Sequence, residues 1–435
     1  MKQFEKIIFY LIIFFLPTQL GKHFWPDFAI IAGLRIDYLS PTVYVTDILL
    51  FLLVVCCTIP LLLSEKNRRD ILKKIHAISR PSLCTVIAIV LFLISNIVLS
   101  ERMFNGAYVL LKLLECVFVF YYCSHRLTNW QTLKPVLLVL SLGIGGESLL
   151  AIVQFILQGS VGGMLWFVGE RTFTGQTPGI ANASIDGQLL LRPYATFSHP
   201  NVLAGYLVTI MTLLFFCWDK FSQKREHWLI GSSLLLGTCA LLLTLSRVAI
   251  LVWIIILVSV SLYLLLRRHR NSFKRKVMIL CFLLLTILGV ALSPVAHRLI
   301  STSLTEESVT QRSLLLTLSG HMLLTHPVFG VGLGNFLPTV VNQQQPLTTH
   351  SILQPVHSIF FLIAAETGLT GLLIFIWFLG KTYARIRNCF PLLALLMLTL
   401  VLGLFDHYWL TIQQGQFLFA FILGVCWARP LCVPK

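Results

Sequence analysis

Apolar runs of bilayer-spanning length recur along this chain, and they restrict what it can become more than any motif does. A transmembrane helix needs about 20 predominantly apolar residues. Runs near that length occupy about residues 5–20, 42–63, 82–99, 106–124, 135–158, 199–218, 227–245, 248–266, 277–293, 357–378, 390–405 and 411–428. They lack the amphipathic stripes of a soluble helical bundle. Charged residues make up only 11% of the chain, against roughly 25% in soluble domains. The expected fold is therefore all-α, a polytopic integral membrane protein of about 12 transmembrane helices with a large outer loop that carries short amphipathic helices. An N-terminal scaffold of about five helices takes residues 1–158, and residues 159–435 hold the loops suited to chemistry. Lys2 and Lys6 precede the first run as they would in a signal peptide. Pro17 to His23 offers no small-residue cleavage site, so an uncleaved helix is expected there.

A net charge of +16 would suggest a nucleic-acid partner in a soluble protein. Its distribution argues for topology instead. With a cytoplasmic N-terminus, roughly three quarters of the Lys and Arg fall in the inner connections, as the positive-inside rule requires. RRHRNSFKRK at 267–276 then reads as a cytoplasmic anchor beside anionic lipid. Both termini are expected inside, the polar loops outside, and no nucleic acid is expected to bind. The 11 cysteines fall in the apolar runs or on the inner side, which speaks against a disulfide framework or a metal site.

Polar residues within this scaffold are few enough to take one by one. Residues 21–47 carry the aromatics and prolines of a headgroup-level belt or an interfacial lid. Lys112 and Glu115, three apart on one helical face, are placed for an intramembrane ion pair. Glu147 lies in GIGGES, where small residues permit close helix approach.

The outer loop at about 159–197 is rich in Gly, Thr and Pro and fits a surface loop with one hairpin. It delivers Arg192 to SHPN, where Ser198 is the expected N-cap, Pro200 sits in the first turn and Asn201 follows. A helix start aims N–H groups at an anion. TLSRVAI forms a tight outer turn, and Arg247 at such a buried junction calls for an anionic partner: a ligand, a distant acid such as Asp186 or Asp406, or the outer headgroups. In the long loop at about 294–356, Leu314, Leu315, Leu318, Met322 and Leu323 keep helical spacing, predicting an amphipathic helix over 309–324 on the membrane surface with Arg312 in its first turn. Glu306 and Glu307 complement its positive end. GVGLGN resembles a phosphate-binding nest, although such a run also serves simply as a tight turn. His357 opens the next helix, whose N-terminus disfavours the cationic imidazole and leaves a ring able to accept a proton. Glu366 lies roughly 13 Å further along that helix, a structural or supporting position. Asp406 and His407, at the last outer connection, are placed to orient His357, to contact sugar, or simply to serve as an interfacial cap.

Taken in order, RPYATFSHPNVLAGYL, TLSR, QRSLLLTLSGHMLLTHPVFGVGLGNF and HSIFFLIAAETGLTGLL resemble the O-antigen ligase and polymerase superfamily over about residues 190–380. The resemblance implies a bacterial inner-membrane glycosyltransferase that takes glycan from an undecaprenyl-pyrophosphate carrier on the periplasmic face. By motif it implies that Arg192, Arg247 and Arg312 hold the donor pyrophosphate and that His357 is catalytic and serves the acceptor, with Asn201, Glu366, Asp406 and His407 as supporting residues. The acceptor is a glycan, a lipid A core or a protein. No metal or cofactor is expected. An O-antigen or exopolysaccharide polymerase with the same donor chemistry is the nearest alternative, and a transporter or flippase is the alternative from another class. The chain shows no internal repeat, and its polar candidates gather at one face rather than mid-membrane.

Overall fold

The computed structural model describes residues 2–31, 33–65, 80–185, 188–266, 282–290, 307–343 and 353–432. The basic inner run at 267–276, part of the ninth apolar run, Asp186, Glu306 and stretches of the large loop lie outside the described residues. The chain is mostly helical: α1 Lys2–Phe14, α2 Val45–Leu63, α3 Arg80–Val98, α4 Met103–Arg126, α5 Trp130–Leu157, α6 Pro200–Cys217, α7 Lys224–Leu243, α8 Arg247–Leu266, α9 Glu307–Thr325, α10 Phe336–Gln343, α11 Ile359–Ile386, α12 Phe390–Phe405, α13 Tyr408–Thr411 and α14 Gln413–Ala428. Among the described residues five helices are long and apolar enough to cross a bilayer: α4, α5, α6 with the turn after it, α7 and α11. Apolar stretches of 10–17 residues follow at Val45–Pro60, Leu83–Val98, Arg247–Leu262 and Phe390–Phe405. Among the described residues six short strands form three two-stranded antiparallel pieces, β1 Gly21–His23 with β4 Thr42–Tyr44, β2 Ile30–Ile31 with β3 Leu34–Arg35, and β5 Asn182–Ile185 with β6 Gln188–Leu191.

The chain divides into two compact units. The first comprises residues 1–15, 21–117 and 311–378. Here α1 packs along α2, and residues 21–44 form a folded cap rather than a loose belt. Its core of Ala29, Ile31, Ile36 and Leu39 closes on Leu337 and Val341 of α10. The Lys112 ammonium lies 2.6 Å from Asp47 Oδ2 and 3.2 Å from Glu115 Oε2. The pair expected from spacing is thus a triad, and Asp47 also accepts the Tyr44 N–H ahead of α2. A cation inside an apolar layer is tolerable only when countercharges surround it in this way.

The second unit comprises residues 16–20, 118–310 and 379–435. Its centre is α6, ringed by α5, α7, α8, α12 and α14. Every α6 side chain is buried except that of Asn201. A helix apolar all round belongs in the middle of a bundle, so the one polar group at its start faces whatever gathers there.

Candidate functional site

In the second unit the site is assembled from three breaks in helical structure. The β5–β6 hairpin ends at Leu191, and the next residue, Arg192, is 7% exposed. Its Nε donates to the Thr244 carbonyl at 2.7 Å and its Nη2 to Asn201 Oδ1 at 2.6 Å. Thr244 belongs to the turn between α7 and α8, and Asn201 to the first turn of α6. One guanidinium therefore ties the carbonyl that caps the end of α7 to the first turn of α6, and at the start of α6 the unpaired N–H groups and the helix dipole favour negative charge.

The cap of α6 is His199, not Ser198: His199 Nδ1 accepts the Asn201 N–H at 3.1 Å, with Pro200 in the first helical position. An Nδ1 that accepts leaves the ring proton on Nε2. The tight turn ahead of α8 works by a left-handed Leu245 at φ 53°, while the Ser246 carbonyl accepts from Ile250 and puts Arg247 at the first position of the helix. Arg247 is half-buried there.

Asn201 also reaches the third break. Its Nδ2 donates to Asp406 Oδ2 at 3.0 Å. Asp406 ends α12 and accepts the His407 N–H through its other oxygen at 2.8 Å. The His407 ring is buried against Thr411 at 2.7 Å. Tyr408 lies over Gly205 of α6, and burial, reinforced by the Asp406 carboxylate, pushes its phenol well above the usual range.

The segment from Arg192 to His199 is clamped from behind by α5. Gln154 accepts the N–H groups of Tyr194 and Ala195 at 3.0 and 2.7 Å and donates to the Ala195 carbonyl at 3.1 Å. Glu147 accepts both the N–H and the hydroxyl of Thr196, at 3.0 and 2.9 Å. These bonds hold Ala195 in a left-handed conformation at φ 51°, a strained state for a residue with a Cβ. Gln154 lies inside an apolar run and is not singled out by the sequence reading, and Asn201 was legible only as a member of SHPN. A lone polar residue in a hydrophobic span was the available signal.

Arg312 and His357 belong to the first unit. With α9 described from Glu307, Arg312 falls in its second turn rather than its first, and it is exposed, while Leu315, Ser319 and Met322, further along the same stripe, are buried. His357 is half-buried in the irregular turn just ahead of α11, whose first bond is accepted by the Ser358 carbonyl from Leu362.

The glycine-rich run does cradle a carboxylate, and that carboxylate is the protein's own. Helix α11 breaks at Gly368, φ 67° and ψ −170°. The carbonyls stranded by the break are taken by loop amides, Val331 N to Ala365 O at 2.9 Å and Gly332 N to Glu366 O at 3.0 Å. Phe336 N donates to Glu366 Oε1 at 3.3 Å, and Gly334 N bonds the same carboxylate. Asn96 of α3 closes the knot, donating to Phe329 O at 2.6 Å and accepting from Leu333 N at 2.7 Å. Non-helical backbone at membrane depth must be satisfied by protein, and the nest is committed to that task.

Residues 232–376 match the family model described as O-antigen ligase. No curated protein matches the chain.

Proposed function

With residues 232–376 in the O-antigen ligase family, we propose that this chain moves a glycan from an undecaprenyl-pyrophosphate carrier to an acceptor hydroxyl on the periplasmic face of the bacterial inner membrane. The observation that carries the reading is the buried Arg192, fixed by Thr244 at the end of α7 and by Asn201 at the start of α6, with Arg247 at the head of α8. Charge grows on the pyrophosphate as the glycosidic bond breaks, and planar guanidinium groups in a preorganised setting bind its oxygens better in the transition state than water does. Arg192 and Arg247 hold the donor diphosphate within the second unit, and the resemblance gives Arg312 of the first unit a donor-binding role. His357 takes the proton from the acceptor hydroxyl. Asn201 and Asp406 fix the direction of Arg192, His407 holds the α13 turn, and Glu366 secures the loop ahead of α10. Direct displacement by the acceptor inverts the anomeric centre, as in single-displacement glycosidases. The reaction needs no metal, because the leaving diphosphate is neutralised by arginine.

The test is transfer by the purified protein in nanodiscs, supplied with undecaprenyl-pyrophosphate-linked glycan and, in turn, lipid A core, free polymer and protein as acceptor. Transfer to one of them with inverted stereochemistry, insensitive to chelator and abolished by alanine at Arg192, Arg247, Arg312 or His357, is expected. Undiminished transfer in all four variants overturns the assignment of residues. Cysteine replacements at Arg247 and His357 that react with an impermeant thiol reagent from both sides of the membrane would instead identify a transporter.

A further inference from the structure

The short helical turn Gly163–Val168, in the loop that follows α5, presents its large apolar side chains outward. Met164 is 84% exposed, Phe167 65% and Trp166 55%, flanked by exposed Val161 and Val168. This turn is not a loose one. Gly162, Gly163 and Gly169 take φ of 76°, 63° and 104°, values that side chains rarely allow. Glu170, 3% exposed, accepts the N–H groups of Val161 and Gly162 at 2.8 Å each and the Gln154 side-chain amide at 2.8 Å. Thr18 donates to the Val168 carbonyl at 2.6 Å. A buried acid and a threonine from a distant part of the chain thus hold three bulky hydrophobic groups away from the protein.

The apolar surface also continues into a membrane-spanning flank. On the last turns of α5, which is long and apolar enough to cross a bilayer, Val153, Ile156 and Leu157 are exposed, and the turn begins a few residues later. Arg171, exposed, follows directly on Glu170. Exposed Trp, Phe and Met beside a cation form the pattern of a segment seated at the boundary between acyl chains and phosphate headgroups.

We propose that Gly163–Val168 is a membrane-inserting tip whose partner is the phospholipid leaflet at the C-terminal end of α5, with Met164, Trp166 and Phe167 among the upper acyl carbons and Arg171 at the phosphates. Gln154 bonds both Glu170, the anchor of the tip, and Ala195, in the segment that carries Arg192 to α6, so the leaflet and that segment share one buried side chain. This inference stands whether or not the chain transfers glycan.

The full chain carrying a benzophenone amino acid at position 166, in nanodiscs of phosphatidylethanolamine and phosphatidylglycerol, is irradiated and its adducts are read by mass spectrometry, with the exposed polar position of Gln176 as the comparison. Phospholipid adducts at least about fivefold more abundant at 166 than at 176 are expected for an interfacial side chain. Equal yields, or adducts to peptides of this or another chain, overturn the proposal. As a second measurement, the emission lost in W166F relative to the unmodified protein should be strongly quenched by phosphatidylcholine brominated near the headgroup. An unquenched difference spectrum overturns the proposal independently of how the benzophenone variant folds.

Discussion

Asn201 Nδ2 donates to Asp406 Oδ2 at 3.0 Å while the other end of the same amide accepts from Arg192 at 2.6 Å. A neutral side chain thus sits between a cation and an anion that never need to pair directly, and an amide is the group with both a donor and an acceptor to do this.

Replacing Asn201 by Ala leaves a buried guanidinium and a carboxylate each short of a bond, and hydrogen bonds to charged groups are worth about 1.5–3 kcal/mol. Glycan transfer is expected to fall at least about tenfold, the equivalent of roughly 1.4 kcal/mol, and the unfolding midpoint to drop with the two lost bonds. Steady-state transfer kinetics check this, and wild-type kcat/KM in Asn201→Ala would mean that the bridge does not position Arg192.

Gly205 faces the opposite pressures of propensity and space. Alanine favours a helix interior over glycine by about 1 kcal/mol, but a methyl group here would land on the Tyr408 phenol, and overpacking costs about 1–3 kcal/mol. Gly205→Ala should lower the midpoint of thermal unfolding in detergent, and adding Tyr408→Phe should recover part of the loss. An unchanged Gly205→Ala midpoint would show that the α6–α13 contact yields easily.

Three glycines with positive φ separate backbone strain from crowding. Gly33, Gly330 and Gly368 have φ of 80°, 67° and 67°. A Cβ at Gly33 meets nothing within 4 Å, one at Gly330 comes to 2.5 Å from the Ala365 carbonyl, and one at Gly368 to 2.8 Å from the Phe329 nitrogen. Alanine at any of them carries a positive-φ penalty of about 1–3 kcal/mol; only the latter two also displace backbone. Unfolding midpoints should drop distinctly further for Gly330→Ala and Gly368→Ala than for Gly33→Ala, and a reversed order would contradict the docking of the loop on the α11 break.

Lys112, 6% exposed at its side chain, is held by Asp47 and Glu115. Removing one partner of a buried pair costs about 3–5 kcal/mol, because the remaining charge is stranded. Lys112→Met should destabilise the protein strongly. Lys112→Met combined with Asp47→Asn should be more stable than Lys112→Met alone, since the amide that replaces the carboxylate still accepts the Tyr44 N–H and carries no charge. Additive losses in a double-mutant cycle would show that the three groups are not coupled.

The composition and the apolar periodicity of this chain were sufficient to specify helices of membrane length and a polar hairpin loop ahead of α6, because bilayer thickness and hydrogen-bond satisfaction leave a chain so apolar few other options. Motif order singles out Arg192, Arg247, Arg312 and His357 as the residues to test. What only the tertiary structure decided were the partners. Asp47 joins Lys112 from 65 residues away, Asn201 meets Asp406 across 205, and GVGLGN closes on Glu366 instead of a phosphate. Local sequence fixes which backbone groups a turn or a helix break leaves unsatisfied, but the group that satisfies them comes from wherever packing brings a donor or acceptor, and no sequence period records that distance.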